Sequence, residues 1–342
     1  RFMITIKKII LFSALISIIQ CNNDKNKIDI DDTEWEKLKA IRLEQQIINS
    51  SSGKIAHDKL SYFPELYENF YSRMLRIGSA EDLQDSTKIN SKVIPSLNSF
   101  ITDSTMQFIF KAIEQEFPRF DYYENEISQG FARFQILFKK ENKKNIGTFY
   151  SNFNATVIES DKTIWIGLDM YLGKDHPITK QLPPSLPQYY KDKMDKKFII
   201  SDLFFGYLMS SIYSPMGDEL LAQMLSYGKI AYVMNLILPN EDEENKFRYS
   251  KEEINWCNNN EEYVWKYIVD NKLLFEKDLS KISLFFSDGP FTKNFGPDSP
   301  SGIGIWMGYK MILDYAKKTN KSTVEIINEK DIQKLLSTYE PN

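Results

Sequence analysis

The chain has 342 residues, 42% hydrophobic, 26% charged and 14% aromatic, a composition that excludes an intrinsically disordered chain. Its formal net charge of -4 offers no general attraction to polyanions, so nucleic acid is excluded as a partner and an anionic lipid surface is not a natural one.

The N-terminal region has its own pattern. Lys7 and Lys8 precede an apolar run from Ile9 to Ile19, Cys21 follows, and the chain then turns polar as CNNDKNK. A basic start and a short apolar stretch read as a secretory signal, too short to span a bilayer comfortably. Arg1 and Phe2 stand ahead of Met3, which suggests a translation start at Met3. The cysteine closing the apolar run resembles a bacterial lipobox, in which the signal is removed and the cysteine becomes the acylated N-terminus. Gln20 departs from the small residue preferred there. Each buried methylene of the acyl chains contributes about 0.8 kcal/mol, so several chains on Cys21 would anchor the protein durably. With only Cys21 and Cys257 there is no disulfide framework, and Cys257 is expected to be a buried small hydrophobe.

Residues 22–32 read as a flexible tether. Trp35 to Ile48 is expected to be an amphipathic helix carrying Trp35, Leu38, Ile41 and Ile48 on one face. Ser61 to Ile77 reads as an aromatic-rich helix with Pro64 in its first turn and Gly78 as its C-terminal cap. Ser91 to Glu116 continues as helix and stops at Phe117 and Pro118. Strand chemistry follows in Phe131 to Phe138, Gly147 to Val157 and Thr163 to Tyr171, with hairpin turns expected at 141–145 and 159–162. LPPSLP, Leu182 to Pro187, forbids regular structure, and a helix is expected from Phe198 to Tyr213.

Asp218 to Pro239 is the strongest helical run, with Leu221, Met224, Leu225, Gly228, Tyr232 and Asn235 at three- and four-residue spacing. Gly228 in its middle costs a helix about 1 kcal/mol relative to Ala, which predicts close packing against another backbone. Ser250 and Glu253 form a capping box for the helix that follows, which is expected to break at Asn258-Asn259-Asn260. A Gly/Pro-rich loop from Ser287 to Gly304 leads into a helix from Ile305 to Lys318, and a short helix is expected at Asp331 to Ser337. The fold class this implies is α+β, a mainly helical single domain packed around one small β-sheet.

The chemistry-bearing residues are few. His57 and His176 belong to no His-Glu-x-x-His pattern, and neither a G-x-S-x-G elbow nor a phosphate loop occurs. Glycines in Ser299 to Gly308 lead into a helix, where free amides suit an anion. An enzyme reading would have to draw on His176, Asp169 or Glu219, and a ligand-binding reading on an aromatic cleft lined by Trp165, Trp265 or Trp306.

Several stretches together resemble the GldB-type gliding motility lipoproteins of Bacteroidetes. They are TIWIGLDMYLG from Thr163, LPPSLPQYY from Leu182, LLAQMLSYGK from Leu220, NEEYVWKYIVDNKLLF from Asn260, SPSGIGIWMGYKMI from Ser299, and the terminal STYEPN. The resemblance implies a lipoprotein signal over 1–20, a tether over 21–33 and a GldB-like α+β body over 34–342. It further implies lipid attachment, of the palmitate type, at Cys21, a place in the cell envelope at the outer membrane, and partners in the gliding and type IX secretion machinery. Kinship to zincin-like peptidases is also implied, in which a His-Glu-x-x-His helix precedes a helix supplying a glutamate. Here the first helix reads ISDLFFGYLM, and Tyr227 stands before Gly228 where a glutamate would be. A degenerate zincin-like scaffold without metal or cofactor is therefore expected. Tyr227 and Lys229 are expected to face the former site, and Gly302, Gly304 and Trp306 to belong to it or to an interaction surface. Where the family usually shows an arginine in the glycine loop, this chain has Ser301-Gly302, which weakens an anion-binding role there.

Overall fold

Four short strands form one mixed sheet, and its side chains enter two hydrophobic cores, a larger one and a smaller one. The computed structural model describes residues 28, 30, 35–141 and 144–342. Cys21 and the signal expected at 1–20 lie outside the described residues, as does the expected tether apart from 28 and 30.

β1 (Ile41–Arg42) pairs parallel with β2 (Asn145–Phe149), which pairs parallel with β4 (Thr163–Gly167); β3 (Val157–Glu159) closes the sheet antiparallel to β4. All five β4 residues are buried, so side chains alternate between two cores and not between core and water. Ile164 and Ile166 enter the larger core, while Trp165 joins Phe149 of β2 in a smaller one. Gly147 leaves room for the Trp165 ring, which an added Cβ would meet at 2.3 Å. The smaller core is completed by α1 (Leu43–Ile48), α2 (Gly53–Leu60), α3 (64–75) and α4 (86–102).

Two expectations in this half need correction. Only Leu43–Ile48 of the stretch from Trp35 is helical, and the residues before it run extended into β1, because pairing with Gly147 and Thr148 satisfies their backbone. α3 has Pro64 in its first turn as expected, but it starts there and not at Ser61, and it ends at left-handed Arg76, φ 54°, and not at Gly78.

The larger core begins with α5 (Ser104–Glu116), capped by Asp103, and α6 (Asp121–Phe138). Phe131 to Phe138, expected as a strand, is the second half of α6. FARFQILF satisfies an alternating pattern locally, yet Ile127, Phe131 and Phe134 recur at helical spacing and are the residues buried. The turn expected at 141–145 falls between α6 and β2, and its residues 142 and 143 lie outside the described residues, whereas Ser160 to Lys162 does make the β3–β4 turn. Between β2 and β3 the chain does not run straight: Asn152 and Phe153 are both left-handed, φ 54° and 55°.

The short helices α7 (Pro177–Gln181) and α8 (Gln188–Asp192) flank the proline segment. They lead to α9 (Ile199–Ser211), α10 (Leu220–Ile237), α11 (Glu243–Phe247), α12 (Lys251–Asn259) and α13 (Glu261–Asp270). The capping box at Ser250 and Glu253 is formed, and the helix breaks at Asn260. After α14 (Leu279–Ile282) come α15 (Ile303–Lys318), α16 (Thr323–Asn328) and α17 (Ile332–Leu336); α16, with its own capping box at Ser322 and Glu325, was not expected.

α10 is the axis of the larger core. Its exposed-stripe pattern is almost absent, with only Gln223, Tyr227 and Asn235 short of full burial. The predicted backbone contact at Gly228 is met by a second glycine on α15. A Cβ on Gly228 would stand 2.2 Å from the Gly308 carbonyl carbon, and one on Gly308 would stand 1.8 Å from the Met224 oxygen. The fold is α+β and mainly helical, and among the described residues no helix is long and apolar enough to cross a membrane.

Candidate functional site

A cavity of about 350 Å³ opens between α9, the end of α10, α11 and the start of α15. Its charged centre is assembled by Asp202. This residue is a lone acid in the apolar ISDLFF run of α9, and it requires partners because a buried carboxylate left alone is costly. Its Oδ2 accepts from the Tyr171 hydroxyl at 2.7 Å and from Arg248 Nη1. Tyr171 arrives from the 3-10 turn after β4, and Arg248 from the left-handed residue, φ 56°, that ends α11. The Arg248 guanidinium also donates through Nη2 to the Lys193 carbonyl at 2.8 Å and lies 5.0 Å from the Phe198 ring centre. Burial together with the Asp202 charge pushes the Tyr171 hydroxyl well above its ordinary range.

Lys193 turns its side chain the other way, donating to Ser301 Oγ at 3.2 Å, while the Tyr249 hydroxyl donates to the Ser301 carbonyl at 2.9 Å. Burial lowers the Lys193 pKa below the usual lysine value. The cation absent from the glycine loop itself is thus supplied from the end of α8. Gly302, φ 66°, is the left-handed residue that starts α15, and no side chain caps the amides of that helix's first turn.

The expected site residues divide into groups. Gly302 lies on the cavity wall. Gly304 lies behind it: a Cβ there would meet the Phe286 ring at 2.8 Å, so the glycine lets Phe286 pack against the wall. Tyr227 rests on the other side of Phe286, 5.3 Å between ring centres, and on Tyr213 at 5.4 Å. Lys229 does not share that direction. Its Nζ donates to the carbonyls of Ile327, at 3.0 Å, and Glu329 at the end of α16. Two residues two positions apart on a helix lie some 200° around its axis, so a common site for Tyr227 and Lys229 is sterically excluded. Gly228 is the α10–α15 contact described above. Trp306 is fully buried, with Lys310 Nζ 5.2 Å from its ring centre.

The aromatic cleft expected from tryptophans does not form. Trp165 is in the smaller core, Trp306 is inside the larger one, and Trp265 packs edge-on against Tyr339. The cavity's rings are instead Tyr190, Phe247 and Phe286. Nor do the three candidate catalytic residues converge. His176 Nδ1 accepts from the Ile178 amide at the start of α7, and Glu219 pairs with Lys277 at 2.9 Å. Asp169 is wrapped by the left-handed turn after β2, accepting from Ser151 N at 2.7 Å, Ser151 Oγ at 2.9 Å and Phe153 N. Burial outweighs those donors and raises its carboxyl to about 6. His57 bonds the Tyr67 hydroxyl at 2.9 Å in the N-terminal layer.

On α9 the residues lining the cavity include Ser201, Asp202 and Phe205. That is the spacing at which a His-Glu-x-x-His helix presents its two ligands and its acid. Among the described residues no group of three His, Cys, Asp or Glu side chains is placed to hold a metal ion. Ser201 Oγ is buried without a hydrogen-bond partner, so no base activates it. Lys193, Asp202 and Arg248 carried no motif in the sequence; only the lone acid within an apolar helix was a visible signal.

No curated protein and no solved structure matches the chain. The family model described as gliding motility protein GldB matches residues 23–341. That match spans the sheet, both cores and every residue of the cavity, and the chain belongs to the GldB family of gliding motility proteins.

Proposed function

We propose that this protein is a cell-envelope lipoprotein, anchored through acylated Cys21 and a tether over 21–33, that serves gliding motility by binding and not by catalysis. The binding element is the cavity around Asp202, and the partners are envelope components of the motility and type IX secretion machinery at the outer membrane. The observation that carries this reading is the cavity-facing side of α9. Ser201, Asp202 and Phe205 occupy the positions at which a zincin-like helix would place its ligands and acid, and Asp202 is committed to Tyr171 and Arg248. Asp202 is thus engaged as the counter-ion of Arg248 and the acceptor of the Tyr171 hydroxyl. The scaffold is thereby read as a degenerate zincin-like one whose cleft is retained for recognition.

A deletion strain scored for spreading provides the test. The intact gene should restore spreading, whereas Cys21→Ala should yield protein released from the membrane fraction and poor spreading. Full spreading by Cys21→Ala would remove the anchoring half of the proposal. About one tightly bound zinc per purified chain would remove the non-catalytic half.

A further inference from the structure

We propose that the cavity binds a small ligand carrying an anionic group, carboxylate or phosphate, on an aromatic or apolar body. The anion would sit between Lys193 and the start of α15. This rests on the binding reading above and adds the chemistry of what is bound.

Lys193 is the first reason. Its side chain contacts Ser301 Oγ, and among the described residues no carboxylate forms an ion pair with it; Glu253, Asp288 and Asp202 act on it only from farther off. A partly buried ammonium without a counter-ion is a site waiting for one, since an isolated charge away from water is costly. The second reason is the helix start beside it. Ser301, Gly302 and Ile305 line the same cavity, the first turn of α15 has no side-chain cap, and its amides and dipole favour negative charge. Ser201 supplies a third. Its residue is 2% exposed, its hydroxyl lacks a hydrogen-bond partner, and it forms part of the cavity wall, an unmet polar group beside the space the ligand would fill.

The local charge agrees. The lining holds Lys193, Lys246 and Arg248 against Asp202 and Asp288, a surplus of one positive charge in a chain whose net charge is -4. Arg248 and Asp202 are paired with each other, and Lys246 donates to Asn235 Oδ1 at 2.9 Å. The attraction is therefore confined to the cavity, which argues for a small ligand over an extended anionic surface. Tyr190, Phe247 and Phe286 offer rings to its body, and about 350 Å³ is within the range of small-molecule sites.

The test uses full-length protein in a non-ionic detergent, titrated calorimetrically with benzoate, phenyl phosphate, inorganic phosphate and neutral benzyl alcohol. Benzoate or phenyl phosphate should bind about tenfold or more tightly than benzyl alcohol, the size of one charge-assisted contact. Which of the two binds more tightly assigns the anion as carboxylate or phosphate. Lys193→Met should lose that margin and Lys193→Arg should keep it. Ser301→Asp, which places an internal carboxylate against Lys193, should retain the fold and abolish probe binding. Absence of binding to the wild type, or wild-type affinity in both Lys193→Met and Ser301→Asp, overturns the proposal. Equal affinity for inorganic phosphate and phenyl phosphate overturns its apolar half. If Lys193→Met loses the probes yet spreads normally in the deletion strain, the anion site stands and the cavity's role in motility falls.

Discussion

Lys229 sits in the middle of a nearly all-apolar helix with 4% of its surface exposed, because its ammonium serves as the cap that the last carbonyls of α16 lack. Burial, with Lys330 nearby, lowers its pKa to about 8 from the ordinary lysine value of 10.5. Between those values the unfolded chain binds the proton that the folded chain has released, so this lysine's contribution to stability rises with pH across that window, while the Cys257 thiol, pushed up by burial, works against it above its ordinary value of 9.0. Lys229→Met should flatten that rise, which urea midpoints measured at the two ends of the window would detect. The buried tyrosines, pushed upward by desolvation, oppose the trend only above their unfolded value of about 10. Arg248 is the complementary case. Arg248→Met leaves Asp202 in place with one donor fewer, and a loss of about 3 kcal/mol is expected from urea unfolding. Asp202→Asn, which removes the charge along with its need for a partner, should cost less.

At the scale of elements, the meeting of α10 and α15 rests on two glycines. Gly308→Ala would press a methyl group into the Met224 carbonyl, and backbone cannot rotate away as a side chain can. Overpacking of this kind costs about 3 kcal/mol, and a Gly308→Ala protein with an unchanged urea midpoint would contradict the close approach. Helix ends were the most legible features of the sequence, since a capping box needs only residues three positions apart, as at Ser250 and Glu253. Phe131 to Phe138 reads as a strand because an eight-residue window of FARFQILF fits both periods. Only the burial of Ile127 one turn earlier distinguishes them. β1 escaped notice because two residues carry no periodicity; Ile41 and Arg42 are a strand only because β2 lies beside them.

For the whole molecule, the sheet lies between two cores, and Phe149 and Trp165 are the sheet residues that enter the smaller one, beside bridging contacts such as Phe100 on Phe110 and Tyr150. Trp165→Ala should cost about 3–5 kcal/mol. In native-state hydrogen exchange, amides of α1 to α4 should lose protection before those of α10 and α15, because the larger core keeps its own contacts. Simultaneous loss across both layers would show instead that the cores unfold as one unit.

The helix-rich α+β class, the core position of α10, the close contact at Gly228 and the family are legible in the residues alone, since these depend on local periodicity, on one residue's lack of a side chain, and on stretches recognisable in order. The site arises only on folding. Lys193, Asp202 and Arg248 come from a turn, a helix and a left-handed residue far apart in the chain, and their charges acquire partners only where burial makes leaving them unpaired costly. Folding also decides that Tyr227 and Lys229 part company, because the direction of each side chain is set by what packs around the helix axis and not by their adjacency in sequence.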